Sequence, residues 1–119
     1  MSSRKQSLGR WGEARAADFL ADQGYQILER NWRCEYGEVD LVAKHGPVLV
    51  FVEVKARLSQ RFGYPEEAVT PAKQQHLIEA AQSYLQAHPE HDGDWRIDVI
   101  AVQRSPNGPQ IHHIENAVA

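Results

Sequence analysis

The chain has 119 residues, of which 42% are hydrophobic and 24% are charged, and its formal net charge is −3. These values predict one globular domain and argue against a broadly basic nucleic-acid coat. No apolar run approaches the ~20 residues of a membrane span, and the single cysteine, Cys34, excludes an internal disulfide. We therefore expect a cytoplasmic protein without a membrane partner.

The first predicted element is a helix. Residues 1–8 are polar and are expected to form a flexible segment, followed by a single domain over residues 9–119. From Leu8 to Gln23 the apolar residues recur with a period near 3.6, which predicts a helix that Ser7 caps.

Three strands are predicted next. In the stretch "YQILERNWR" (25–33) apolar and polar residues roughly alternate, which predicts a strand. The stretch "EVDLVA" (38–43) predicts a second one. The stretch "KHGP" (44–47) contains two breakers and predicts a turn. The third stretch, "VLVFVEVK" (48–55), is apolar on both faces, which is typical of a central strand.

The remaining elements complete an α/β pattern. Thr70 and Pro71 predict the N-cap and first position of a second helix. The stretch "WRIDVIAV" (95–102) predicts a fourth strand, and residues 110–118 a short last one. The order α-β-β-β-α-β, with one further strand, predicts a small mixed β-sheet flanked by helices.

Four polar residues interrupt the two central apolar runs. Because side chains alternate along a strand, Glu53 and Lys55 share one face of their strand, and Glu38 and Asp40 share one face of theirs. If residues 44–47 form a four-residue hairpin loop, all four side chains project from the same side of the sheet. A slip of one residue would separate the two pairs.

The same assumed register predicts which residues of the second and third strands lie opposite each other. Ala43 then lies opposite Val48, and Asp40 opposite Phe51. Glu38 in turn lies opposite Glu53. Carboxylates that face each other across strands repel, so this arrangement requires a compensating positive charge.

A bound divalent cation is the expected compensation, because Lys55 supplies one positive charge against three negative ones. Oxygen ligands without thiols favour Mg²⁺ or Mn²⁺ over zinc. A cation beside a lysine suits phosphodiester hydrolysis, in which the lysine orients water or stabilises the transition state. The alternative is a pair of surface ladders with ordinary salt bridges.

The six histidines show no zinc-ligand pattern, and we predict that they are surface groups. Glu13 on the first helix would reach the cation if that helix packs on the sheet, but its spacing alone favours a solvated acid. The loop residues Arg61 and Tyr64 are candidate DNA contacts because loops beside a site often touch substrate.

The pattern resembles a known group of proteins. "VD" at Val39-Asp40 followed by "EVK" at residues 53–55 resembles the PD-(D/E)XK nuclease superfamily. The stretches "GRWGEARAADFLADQGYQILERNWRCEYGEVDLVA", "VFVEVKAR" and "FGYPEEAVTPAKQQHLIEAAQSYL" are similar to the small bacterial YraN-like proteins. Those are predicted endonucleases whose core is similar to that of archaeal Holliday-junction resolvases.

The resemblance implies a restriction-endonuclease-like core and a role for each matching residue. Asp40, Glu53 and Glu13 would be catalytic metal ligands, joined by the carbonyl of Val54, and Lys55 would position or activate water. An outer-shell acid and two phosphate contacts are implied as well, and these are Glu38, Arg57 and Lys73.

The function expected from the resemblance is metal-dependent cleavage of DNA. The substrate would be branched, nicked or otherwise structured DNA met during repair or recombination, and a homodimer would allow two symmetric cuts. One alternative is a nuclease-fold module that binds nucleic acid or protein with little catalysis. Another is a structural accessory protein whose acids form ion pairs.

Overall fold

The computed structural model describes residues 4–58 and 69–118, and over these ranges two helices cover a five-stranded sheet. The helices are α1 (Arg4–Asp22) and α2 (Pro71–Ala87). The strands are β1 (Gln26–Cys34), β2 (Gly37–His45), β3 (Val48–Arg57), β4 (Trp95–Ser105) and β5 (Gly108–Ile114). The predicted α/β class, mixed sheet and element order are confirmed, including the fifth strand.

The strands lie in the sheet in chain order, and β3 is the central strand. Neighbouring strands are antiparallel except for β3 and β4, which are parallel. Parallel neighbours cannot be joined by a tight turn and need a crossover connection, and α2 lies in that connection. The crossover helix α2 covers one face of β3, and α1 covers the other.

Each face of the sheet carries its own hydrophobic cluster. On one face α1 contributes Ala16, Ala17 and Leu20, which pack over alternate residues of β3 such as Val50 and Val52. On the opposite face α2 packs over the intervening residues, and that cluster includes Leu77, Ala80, Ala81, Tyr84, Leu49 and Phe51. This explains why β3 is apolar in both directions.

The predicted start of the first helix is wrong. The helix begins at Arg4, and Ser7 lies inside it instead of capping it. Residues 4–7 contain no breaker, and Arg, Lys and Gln are favourable in a helix, so nothing ends the helix at Ser7. The division into a flexible segment 1–8 and a domain 9–119 stays a prediction.

The predicted strand ends near the C-terminus also differ from those observed. The strand β4 extends to Ser105 and β5 begins at Gly108, so the pairing runs up to Ser105 opposite Gly108. Gly108 adopts a φ of 105°, which only glycine adopts readily and which permits this tight reversal.

The four-residue hairpin loop predicted between β2 and β3 is wrong. His45 pairs directly with Val48, which leaves a two-residue turn of Gly46 and Pro47. Gly46 has a φ of 58°, a value that tight hairpin turns require.

The shorter turn shifts the register between β2 and β3 by two residues. Val42, and not Asp40, lies opposite Phe51. An even shift leaves the faces of the two strands unchanged relative to each other, whereas an odd shift would have exchanged them. In the described part of the chain, neither helix is both long and apolar enough to cross a membrane.

Candidate metal centre

The strand β2 changes its pattern of alternation at Asp40. Val39 and Val42 both pack on the α2 side of the sheet, whereas Leu41 packs on the α1 side. Regular alternation would have placed Val39 with Leu41. Asp40 therefore lies at an irregular point of the strand.

The same point is where β2 and β3 stop pairing. Their ladder runs from His45 opposite Val48 to Leu41 opposite Val52. Beyond it the Asp40 carboxylate accepts a hydrogen bond of 2.8 Å from the Val54 backbone N–H. A side chain thus replaces a backbone partner where the two strands separate.

The environment of Asp40 disfavours its negative charge. Burial and, next, the charge of Glu53 raise the pKa of the Asp40 carboxyl from 3.8 to about 7. The Val54 hydrogen bond lowers this pKa, while the charges of Glu13 and Glu38 raise it further. A cation placed here would stabilise the ionised form.

Three carboxylates from two elements meet at this point. One oxygen each of Glu13, Glu38 and Asp40 lies within 4.8 Å of the others. Glu13 comes from α1, which packs closely here because Gly12 leaves no side chain between the helix and Ala56 of β3. Within residues 4–58 and 69–118 this is the one group of His, Cys, Asp and Glu side chains found to be spaced for a metal ion.

Asn31, which sequence reasoning missed, connects two of these acids. Its Nδ2 donates to Glu13 Oε2 at 2.9 Å and to Glu38 Oε1 at 2.7 Å. Arg33 adds an exposed salt bridge of 3.1 Å to the other oxygen of Glu38. The one local signal at Asn31 was its residue type, because Asn tolerates the left-handed backbone conformation that it adopts, with φ 53°.

Glu53 lies on the other side of Asp40 and is buried, with 4% of its surface exposed. Its Oε1 is 3.2 Å from the Lys55 ammonium and 3.4 Å from that of Lys73. Its Oε2 is buried and has no hydrogen-bond partner among the described residues. Such an orphaned carboxylate oxygen is costly unless another group, such as a cation, contacts it.

The prediction that all four polar side chains share one face is wrong for Glu38. Glu53 and Lys55 lie together on the α2 side, with Lys73, whereas Glu38 lies on the α1 side, with Glu13. The carboxylates on both sides, Glu53 on one and Glu13 and Glu38 on the other, raise the pKa of Asp40. The physical reason is the irregular point in β2, which the alternating pattern did not reveal.

Two of the four predicted DNA contacts, Arg57 and Lys73, lie within the described residues. Arg57 is half-buried, and its guanidinium donates to its own neighbour, the Ala56 carbonyl, at 3.5 Å. The Lys73 backbone N–H donates to the Thr70 hydroxyl at 3.2 Å, so this N–H already has a partner. Thr70 is confirmed as the cap of α2. Arg61 and Tyr64 lie outside the described residues.

A second buried carboxylate, Asp98 on β4, was also missed. It accepts hydrogen bonds from the Arg96 guanidinium at 3.0 Å and the Asn116 backbone N–H at 2.9 Å, and its other oxygen lies 2.7 Å from His113 Nε2. Burial raises the pKa of Asp98, but the His113, Arg96 and Asn116 hydrogen bonds outweigh burial and lower it. The acid inside the apolar run "RIDVIAV" was the available signal.

His113 corrects another prediction. Its side chain is only 10% exposed and contacts Asp98, so it is not a surface group. His88 also packs, because its ring stacks on Tyr84 with ring centroids 3.9 Å apart. The partner of His113 is a carboxylate 15 residues away, and the partner of His88 is an aromatic ring four residues away. The spacing between histidines carries no information about either contact.

Comparisons with known proteins identify relatives. The family model described as "Uncharacterised protein family UPF0102" matches residues 12–102. A UPF0102 protein of Geobacter metallireducens is 46% identical over 117 residues, covering 98% of this chain and 96% of its own. One of Chlorobium chlorochromatii is 56% identical over 95 residues, covering 80% and 73% respectively.

One solved structure is similar at low identity. It is that of Pyrococcus furiosus SfsA in complex with Ca²⁺, with 17% identity and a TM-score of 0.44. The match covers 87% of the present chain, which spans 62% of the length of that protein.

Proposed function

The chain belongs to the uncharacterised protein family UPF0102, and we propose that it is a metal-dependent endonuclease of the PD-(D/E)XK superfamily that hydrolyses DNA phosphodiester bonds. The observation that carries this proposal is the buried Glu53 Oε2, which finds no partner within residues 4–58 and 69–118 although the charge of its carboxylate acts on Asp40. A site that keeps two acids this close without a full set of donors is suited to a cation.

The donor set supports the choice of Mg²⁺ or Mn²⁺. The carboxylates that approach one another supply oxygen atoms, the donors that these hard cations prefer. Asp40, Glu53, Glu13 and the Val54 carbonyl would hold the ion, and Glu38 would support it from the outer shell. The fit rests on the orphaned oxygen of Glu53 and on the clustering of Glu13 and Glu38 around Asp40.

A bound divalent cation would neutralise charge on a phosphodiester and make an attacking water more acidic. The Lys55 ammonium, 3.2 Å from Glu53, would orient that water or stabilise the negative charge that develops on the phosphate. Lys73, on the same carboxylate oxygen, would turn to a non-bridging phosphate oxygen once a cation shares Glu53. Arg57, Arg61 and Tyr64 remain proposed DNA contacts.

We propose structured DNA as the substrate, meaning branched, nicked or otherwise distorted duplexes met in repair or recombination. A homodimer would place two such sites for cuts in both strands of a junction. A cytoplasmic location, where chromosomal DNA of a bacterium is accessible, is part of the same proposal.

The decisive test is a panel of branched, nicked and linear DNAs incubated with Mg²⁺ or Mn²⁺. We expect the wild type to cleave, and Lys55→Ala, Asp40→Ala and Glu53→Ala each to lose about 10²-fold or more of the rate while remaining folded by circular dichroism. Lys44→Ala is the matched control, because Lys44 is a half-buried lysine near the β2–β3 turn. Undiminished cleavage by all three site variants would refute the site.

One observation favours a second candidate function, a nuclease-fold module that binds nucleic acid or protein with little catalysis. Two ammonium groups already form ion pairs with Glu53 Oε1, so the negative charge of this carboxylate is balanced without a cation. DNA binding that weakens steeply with salt, with no cation-dependent cleavage of any substrate, would support this alternative.

A further inference from the structure

We propose that Asn31 is a positioning residue that holds Glu13 and Glu38 side by side, and so prepares Glu13 to contact a divalent cation and Glu38 to support it from the outer shell. This inference rests on the proposed metal-dependent function. It concerns a residue that contacts neither DNA nor the cation in the mechanism above and that acts through two carboxylates.

The geometry gives Asn31 a double contact. A side-chain amide has two N–H donors, and Nδ2 of Asn31 lies 2.9 Å from Glu13 Oε2 and 2.7 Å from Glu38 Oε1. The three residues come from α1, β1 and β2, which are separate elements. The Asn31 amide therefore ties the first helix to two strands at the acidic cluster.

The chemistry of the contact suits a site that must receive a cation. Two neighbouring carboxylates repel each other, and a neutral amide offsets that repulsion by donating a hydrogen bond to each. A lysine or arginine in this position would instead bring a full positive charge that competes with the ion. Asn31 Nδ2 donates to Glu13 Oε2 and to Glu38 Oε1, so the second oxygen of Glu13 is not engaged by Asn31.

The backbone conformation of Asn31 also supports its role as a positioning residue. Asn31 has a φ of 53°, a left-handed conformation that is unfavourable for most residues but not for glycine. Its neighbours Arg30 and Trp32 pair with Leu41 and Val39, so Asn31 lies opposite the irregular point of β2 at Asp40. The left-handed backbone turns the amide toward the two acids.

The substitution Asn31→Gly tests the side-chain amide alone. Glycine retains the positive φ of the backbone but removes the Nδ2 donor. Asn116→Gly is a matched control, since Asn116 has a φ of 52° and, within the described part of the chain, hydrogen-bonds through its backbone N–H to Asp98 and not through its side chain. Mn²⁺ binding is measured by electron paramagnetic resonance and by calorimetry on the full chain. We expect the dissociation constant to rise about 10-fold or more in Asn31→Gly, the usual effect of losing an outer-shell partner, and to stay unchanged in Asn116→Gly.

Asn31→Asp provides a second test with the opposite sign. It keeps the shape of the side chain but replaces the donating NH₂ by an acceptor oxygen, so a further negative charge faces Glu13 and Glu38. We expect this variant to melt at a lower temperature than the wild type in a chelator, and Mn²⁺ to raise its melting temperature by more than it raises that of the wild type. An Mn²⁺-induced increase no larger than that of the wild type would show that the side chain at position 31 does not face acids that bind the cation.

The outcomes distinguish this inference from the proposed function. If the wild type binds no Mn²⁺ and cleaves no DNA, the proposed function fails and the role of Asn31 fails with it. If the wild type binds Mn²⁺ while Asn31→Gly binds it equally well, or Asn116→Gly loses as much affinity, only the role of Asn31 is overturned.

Discussion

Replacing Asp40 by Asn should make the metal-free protein more stable at neutral and alkaline pH. Burial and the charge of Glu53 raise the pKa of Asp40 to about 7, so the folded state resists its ionisation more than the unfolded state does. A group with a raised folded pKa contributes stability that is complete below the unfolded pKa, near 4, and is lost as pH rises through the folded pKa, near 7. The neutral amide of Asn avoids that loss.

The size of the effect follows from the shift in the Asp40 pKa. A change from 3.8 to about 7 corresponds to about 4 kcal/mol of unfolding free energy at pH 8, since one pKa unit is about 1.4 kcal/mol. Because Asn gives the Val54 N–H a weaker, uncharged acceptor, we expect a net gain of about 2–3 kcal/mol. With a urea m value of about 1.5 kcal/mol/M, the unfolding midpoint should rise by about 1.3–2 M.

The assay is urea unfolding of wild type and Asp40→Asn in a chelator, at pH 4.5 and pH 8. The stability gain of the variant should be small at pH 4.5 and large at pH 8. Asp92→Asn, at an exposed carboxylate, is the control for loss of one negative charge and should show no such pH dependence. A variant that is equally stable or less stable than the wild type at pH 8 would show that Asp40 is not destabilised by its surroundings.

Three further substitutions test the scaffold, each by urea unfolding. Gly12→Ala would place a Cβ atom 2.7 Å from the Ala56 Cβ and should cost about 1–3 kcal/mol by forcing α1 away from β3; an unchanged midpoint would contradict the close packing. Thr70→Ala should cost about 1 kcal/mol because α2 loses its N-cap hydrogen bond, and Thr70→Ser should restore it. Asp98→Asn should cost about 3 kcal/mol at pH 7, because it leaves buried cationic and polar partners unpaired. Since the pKa of Asp98 is lowered in the folded state, its contribution is lost as pH falls below about 4, so the difference from wild type should shrink in acid.

Local sequence patterns predicted much of the fold. Residues 48–55 read as a central strand because they are apolar in both directions, and β3 does carry a helix on each face. The Thr70-Pro71 pair marked the start of α2 because capping chemistry depends only on residues three or four positions apart. The period of two likewise put Glu53 and Lys55 on one face, where they form an ion pair.

The candidate site was less accessible to the same reasoning. Glu13 and Glu38 meet through Asn31, 18 residues from one and seven from the other, and no spacing rule connects them. The predicted common face failed at Glu38 because β2 changes alternation at Asp40, and an irregular residue in a strand has no signature in the alternating pattern.

The sequence by itself determined the identity of the elements, the hydrophobic faces of the central strands and the residue types able to hold a cation. Those properties depend on neighbours within a few positions, and so the chain carries them locally. Only the tertiary structure decided that Asp40 lies between an acidic group under α1 and the Glu53 carboxylate under α2. It also decided that Lys73 and Asn31 join them, because these contacts depend on the packing of two helices against opposite faces of the sheet.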